Sequence, residues 1–265
     1  MNTIALFYNR QLLDQAGVQP PSTWDELRQA AQELTGDGVH GFAYSAIASY
    51  EGAWQFLPFM WSNGGDEEDL AGAPIAEAAD YLASFVRDGL TSRAIVNWDQ
   101  SDVMDQFKAG SAAMVVNGPW QIPGLHEDTP DLDWDVVTIP VPSAGDASIA
   151  PLGGEVWTIP ATADEEKQAR AAELLQHFVS PGNQLELGNA RQTIPTDTGA
   201  AETFAQENPD LSTFVEQAET ARARTARLGG AWPRTAKAIY TANQQILVDD
   251  MDPYEAFSEA ARTVR

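Results

Sequence analysis

The chain of 265 residues contains no cysteine. Disulfides, thiolate metal sites, cysteine nucleophiles and thiol-linked lipids within it are thereby excluded, and redox context leaves no mark on it. Positive charge is scarce. Only three lysines occur (Lys108, Lys167 and Lys237) among 15 basic residues set against 39 acidic ones, for a net charge of −24. So acidic a surface repels phosphate backbones and anionic lipid heads, so neither nucleic acid nor a membrane surface is an expected partner. No apolar run reaches the roughly 18 residues that a bilayer span needs. The opening MNTIALFYNRQ lacks the basic, apolar, small-residue order of a secretory signal. It reads instead as a strand over 3–8, like a domain cut in mid-element.

Catalytic and cofactor signatures are missing as well. His40, His126 and His177 have no neighbours at metal-ligand spacing, and there is no HExxH, G-x-S-x-G, phosphate loop or G-x-G-x-x-G. The glycine pairs at 64–65, 153–154 and 229–230 read as turns. Carboxylates are abundant enough to leave a glycosidase pair open by inventory. No constellation, however, sets an activated base beside a partner, so an enzyme is not expected. The acid runs GDEEDL (65–70) and DDMD (249–252) lack the calcium-loop pattern and read as solvated faces. No metal or cofactor is expected.

What is present is a core: 43% of residues are hydrophobic and 9% aromatic. A short helix over 10–15 stops at Gly17, and Pro20-Pro21 force extended chain. Thr23 and Glu26 form a capping box before Leu27, Ala30, Ala31 and Leu34 at helical spacing. Strands are predicted over 41–49 and 112–116, within DWDVVTIPVP and at EVWTIPAT; helices over 75–87, through 103–107, over 164–179 and from Pro181. From 204 the pattern is helical throughout (204–208, 211–224, 233–248 and 253–264), and the Gly/Pro/Ser-rich loop 140–155 reads as a linker. The alternation predicts a layered α/β architecture.

Of the eight tryptophans, Trp24 and Trp134 sit in core periodicity and Trp61 and Trp98 are undecided. Trp54, Trp120, Trp157 and Trp232 fall at loops, strand ends or helix starts. In AAMVVNGPWQIPG (112–124), Gly118 fits a helix cap and Pro119 its first position. Trp120 then stands at the carboxyl end of a buried strand, where open α/β sheets bind ligands. An indole offers a flat apolar face and one edge donor, which matches a sugar ring whose hydroxyls nearby Asp, Glu and Asn would accept.

The segments TIALFYNRQLLDQAGVQPPSTWDELRQAAQELT, WQFLPFMWSNGGD, FKAGSAAMVVNGPW, LGGEVWTIPATA and PRTAKAIYTANQQIL, in this order, resemble the maltose-binding-like solute-binding proteins of carbohydrate ABC transporters. The resemblance spans nearly the whole chain. It implies a periplasmic-binding-protein-like (type II) α/β fold whose two lobes close over sugar. Here that would be mainly the carboxy-terminal lobe (9–150 and 205–265), with a hinge strand at 1–8 and, over 151–204, the crossover and the remaining part of the amino-terminal lobe. Members of the family carry further βαβ units before this first strand, so a chain or segment supplying the missing lobe portion is an expected partner, and weak binding alone is expected.

The resemblance further implies cleft aromatics at Trp54, Trp120 and Trp232, ligand contacts from Glu155 and Trp157 at the crossover, and Glu51, Asn63 and Asp66 flanking them. A neutral mono- or oligosaccharide is the expected ligand, because it fits an aromatic-plus-acid cleft better than an anion does and arginines near the candidate loops are few (Arg191 and Arg234). Permease subunits are expected partners, and the expected location is extracytoplasmic. A carboxylate-pair glycoside hydrolase, or an isolated lobe with little binding, are the alternatives.

Overall fold

In the computed structural model, which describes residues 1–264, the first strand β1 (Ala5–Asn9) is buried along its whole length. It is the middle of three antiparallel strands, between β2 (Met114–Asn117) and β3 (Trp134–Val137), with Leu6 opposite Val116 on one side and Phe7 opposite Val136 on the other. Side chains alternate across a strand, so the sheet feeds two cores. Leu6, Tyr8, Met114 and Val116 enter one. Ala5, Phe7, Val115 and Val136 enter the other.

Helices cover both faces. Out of β1 comes α1 (Arg10–Ala16), capped by the Asn9 side chain and closed by Gly17 in the left-handed region, then α2 (Trp24–Leu34) on the expected capping box. Next come α3 (Tyr50–Ser62), α4 (Ala73–Arg87), α5 (Gln100–Lys108) and α6 (Ile122–Asp128). After the sheet the chain runs through α7 (Glu165–Phe178), α8 (Pro181–Arg191), α9 (Thr198–Glu207), α10 (Ser212–Glu219), α11 (Thr225–Leu228), α12 (Trp232–Val248) and α13 (Pro253–Val264). The first core takes Phe56 and Phe59 of α3, Phe85 of α4, Ile239 of α12 and Phe257 of α13. The second takes Phe107 of α5, Leu125 of α6, Phe204 of α9 and Phe214 of α10.

Three sequence expectations change. Residues 41–49 form no strand: Ala43 makes a single parallel bridge to Val115 of β2, and His40, just before them, bridges Ala112. The EVWTIPAT segment forms no strand among the described residues; Val156 is 84% and Trp157 61% exposed. A strand needs a ladder partner, and none of the described chain offers one there. The helix expected over 211–224 ends at Glu219, because Arg222 pairs instead with the linker: its N–H donates to Ala150 O (2.8 Å) and its carbonyl accepts from Leu152 N–H (2.9 Å).

Ile194, Ala201 and Phe204 lie in the second core, whereas α7 buries none of its described residues. Leu174, Phe178, Val179 and Leu187 are exposed on α7, α8 and the link between them.

Candidate ligand-binding site

Several backbone crossings meet at one place. Asn2 and Gly153 exchange hydrogen bonds (3.0 and 2.9 Å), Met1 O accepts from Ile194 N–H (2.8 Å), and Ala150 and Leu152 hold Arg222 as described. Gly153 is required by close approach: a Cβ there would lie 2.3 Å from Asn2 Oδ1 and 2.6 Å from the Trp54 ring.

Beside this junction the NGPW turn is locked in place. Asn117 is fully buried; its amide donates to Gln100 O (2.7 Å) and its Oδ1 accepts from Gly118 N–H (3.0 Å). Glu51, in the first turn of α3, accepts from Gln100 N–H at 2.9 Å, where the positive end of α5 favours a carboxylate. The end of β2 and the starts of α3 and α5 are thus tied together. Pro119 opens a single 3-10 turn with Gly118 before it, as the sequence predicts. Trp120 folds back over Gly118 so closely that a Cβ there would lie 2.1 Å from the indole, and the residue stays 36% exposed.

Turn and junction border an open cleft of about 490 Å³, within the usual size of small-molecule sites. Of the residues singled out in the sequence, Glu51, Trp54, Trp120 and Glu155 line it together. Arg191, set near the candidate loops by the sequence, lines it too, and so do Asn2, Tyr50, Gln100, Gln192, Thr193 and Arg224, which sequence reasoning did not place there. Gln192 holds a left-handed backbone (φ 54°) where the chain leaves α8 for the cavity, a conformation uncommon outside glycine.

The other candidates lie elsewhere. Trp232, expected as a cleft aromatic, is 6% exposed and packs in the first core as the opening residue of α12. Trp157 is outside the cavity lining, with its ring 5.3 Å from Phe178. Asn63 donates to Pro74 O (2.8 Å) and Glu77 (3.1 Å), which anchors the end of α3. Asp66 accepts from Glu68 N–H and pairs with Arg227. Burial opposes its charge, but those two donors outweigh burial and hold the carboxyl below its ordinary range. The acid run itself is not a solvated face throughout: Glu67 is buried, accepts from Trp61 Nε1 at 2.7 Å, and lies 3.7 Å from Arg222.

Arg224 is the main addition. Its guanidinium stacks 4.3 Å from the Trp54 ring centre and 5.7 Å from that of Trp232, and it donates to Leu152 O at 3.0 Å. Burial pushes its pKa down from the ordinary arginine value. The placement follows from the pairing of Arg222 with the linker, across about seventy residues of chain, and no local pattern announces it. One face of Trp54 is therefore already covered, and its buried Nε1 finds no acceptor among the described residues.

An α/β body with an aromatic and polar cavity where chain segments cross is the plan of a solute-binding protein. Residues 1–213 match the family described as bacterial extracellular solute-binding protein, and the chain belongs to it. Among similar proteins, a putative binding protein of Brucella abortus is 24% identical over 97% of this chain and 64% of its own length. The arabinooligosaccharide-binding protein of Bacillus subtilis is 26% identical over 72% of this chain and 45% of its own. The solute-binding protein of an ABC transporter from Thermotoga lettingae, solved with α-D-tagatose, superposes with a TM-score of 0.83 at 22% identity, over 99% of this chain and 69% of that one. The fold is that of periplasmic solute-binding proteins. The chain spans less than two thirds of the Brucella relative, and the family is one of solute binding rather than catalysis.

Proposed function

We propose that the cavity binds a sugar or short oligosaccharide and that closure over it presents the protein to the permease of an ABC importer. The observation that carries this reading is the meeting of Trp54 and Trp120 with Glu51, Gln100, Asn2 and Glu155 around one cavity at the chain crossings. The partly exposed indole of Trp120 supplies the stacking face, and the polar groups supply partners for hydroxyls. Binding at a junction converts ligand contacts into a change of shape through the crossing segments, 1–8 and 151–154. The relatives named for arabinooligosaccharide and tagatose support a carbohydrate ligand.

The exposed apolar side chains of Trp157, Leu174, Phe178, Val179 and Leu187 support a second part of the reading. The remainder of an amino-terminal lobe, on the same polypeptide or another, packs there and adds the facing wall of the cleft. Trp157 and Trp232 then act through packing, and Asn63 and Asp66 through anchoring, rather than by touching ligand. The neutrality expected from the sequence rested on an acidic cleft and on few arginines near it; Glu51 and Glu155 line the cavity, but Arg224 there removes the second ground.

Calorimetry against a panel of mono- and oligosaccharides tests this. Weak binding by the chain alone, tightening when the rest of the lobe is supplied, is expected. Trp120→Ala should weaken binding by about 1 kcal/mol or more. Affinity of about 1 μM or tighter for the chain alone overturns the shared-wall reading, and release of sugar from aryl glycosides overturns the binding reading itself.

A further inference from the structure

Cations are few here and mostly held by acids. Arg10, Arg28, Arg87, Arg170, Arg222 and Arg227 each sit beside a carboxylate. Arg191 and Arg224 do not, among the described residues, although the chain carries 39 acidic side chains, and both line the same cavity. Arg224 is half-buried, and its one hydrogen bond among the described residues goes to a neutral carbonyl, Leu152 O. A guanidinium has five N–H donors in a planar fork, so most of its capacity is unspent. Stacking on Trp54 fixes the plane of that fork without neutralising it. The nearby acids do not fill the role: Glu51 is engaged with the Gln100 amide, and Glu155 lies exposed on the crossover.

We propose that the ligand of this cleft is an anionic carbohydrate derivative whose carboxylate or phosphate-ester oxygens seat on the Arg224 guanidinium, with Arg191 adding positive charge to the same cavity. The proposal rests on the carbohydrate reading above and names its substrate class. A neutral sugar enclosed in the cleft would leave the guanidinium further desolvated with no countercharge, whereas a planar or tetrahedral oxyanion matches its fork in two parallel bonds. The same desolvation already depresses the Arg224 pKa, and a bound anion reverses it. The sugar body is left to Trp120.

Calorimetry of the full chain with matched pairs tests the assignment: glucose against glucuronate, glucose against glucose 6-phosphate, and inorganic phosphate alone. The acidic member of at least one pair should bind about tenfold tighter than its neutral partner, and the margin should shrink as sodium chloride is raised. The two pairs separate a carboxylate ligand from a phosphate ester. Arg224→Gln should erase the preference and Arg224→Lys should keep part of it; the salt titration needs no variant and stands even if Arg224→Gln fails to fold. Equal or tighter binding of glucose overturns the charge assignment and leaves the carbohydrate reading intact. Inorganic phosphate binding as tightly as glucose 6-phosphate overturns the carbohydrate part. No binding by any member overturns both.

Discussion

β1 and α7 are both clear from local sequence, yet they end in opposite surroundings. Every side chain of β1 is buried, and Phe7 alone meets the rings of Phe107, Trp134 and Phe214. α7 is 14 residues long and buries none of its described residues. Its apolar positions, Ala171, Leu174, Leu175 and Phe178, with Val179 just beyond, keep helical spacing. Periodicity therefore specifies an element and its face, while stability comes from whatever that face meets; alone, a helix of this length is marginal in water.

The largest effect that separates the two regions is expected in the sheet. Phe7→Ala should cost about 3–5 kcal/mol in urea unfolding, as for other buried aromatics. Next comes the buried pair beneath the acid loop. Trp61→Phe takes the donor from a buried carboxylate at Glu67 and should cost about 1.5–3 kcal/mol in the same measurement. Smaller is a pH effect. Because the folded pKa of Asp66 is depressed, its contribution is complete above the ordinary aspartate value of about 3.9 and is lost as pH falls toward the lower folded value. The melting temperature of Asp66→Asn should therefore lie below that of the parent at neutral pH and converge with it in acid. Glu166→Gln, which breaks an exposed pair on α7, should show no such convergence. Smallest is Leu174→Ser, within about 0.5 kcal/mol for an exposed position, but with reduced binding of an apolar dye. A loss near that of Phe7→Ala would erase the contrast, because it would mean that this face is covered in the chain alone.

The features legible in the sequence are those settled within a few residues. Thr23 and Glu26 cap α2 as their spacing requires, Gly17 stops α1 by its left-handed backbone, and Gly118-Pro119 open the turn that presents Trp120. The features that escaped depend on distant partners. Glu67 reads as one more solvated acid until Trp61 and Arg222 are seen around it. Trp232 stands at a helix start as the sequence reads it, yet it turns into the first core rather than to the cleft. EVWTIPAT has the composition of a strand and, among the described residues, no strand to pair with. Arg224 enters the cavity only because residues 220–224 leave the helix to join the linker.

Asn117-Gly118 has one further consequence, in the chemistry of ageing. An asparagine followed by glycine is the dipeptide most open to deamidation, since the bare glycine amide attacks the side-chain carbonyl with little hindrance. Here Asn117 is buried away from water, and its amide nitrogen, the leaving group, is held by Gln100 O. The network that aims Trp120 thus also shields the weakest covalent link beside the site, and loss of that shielding would mark the turn with a permanent negative charge.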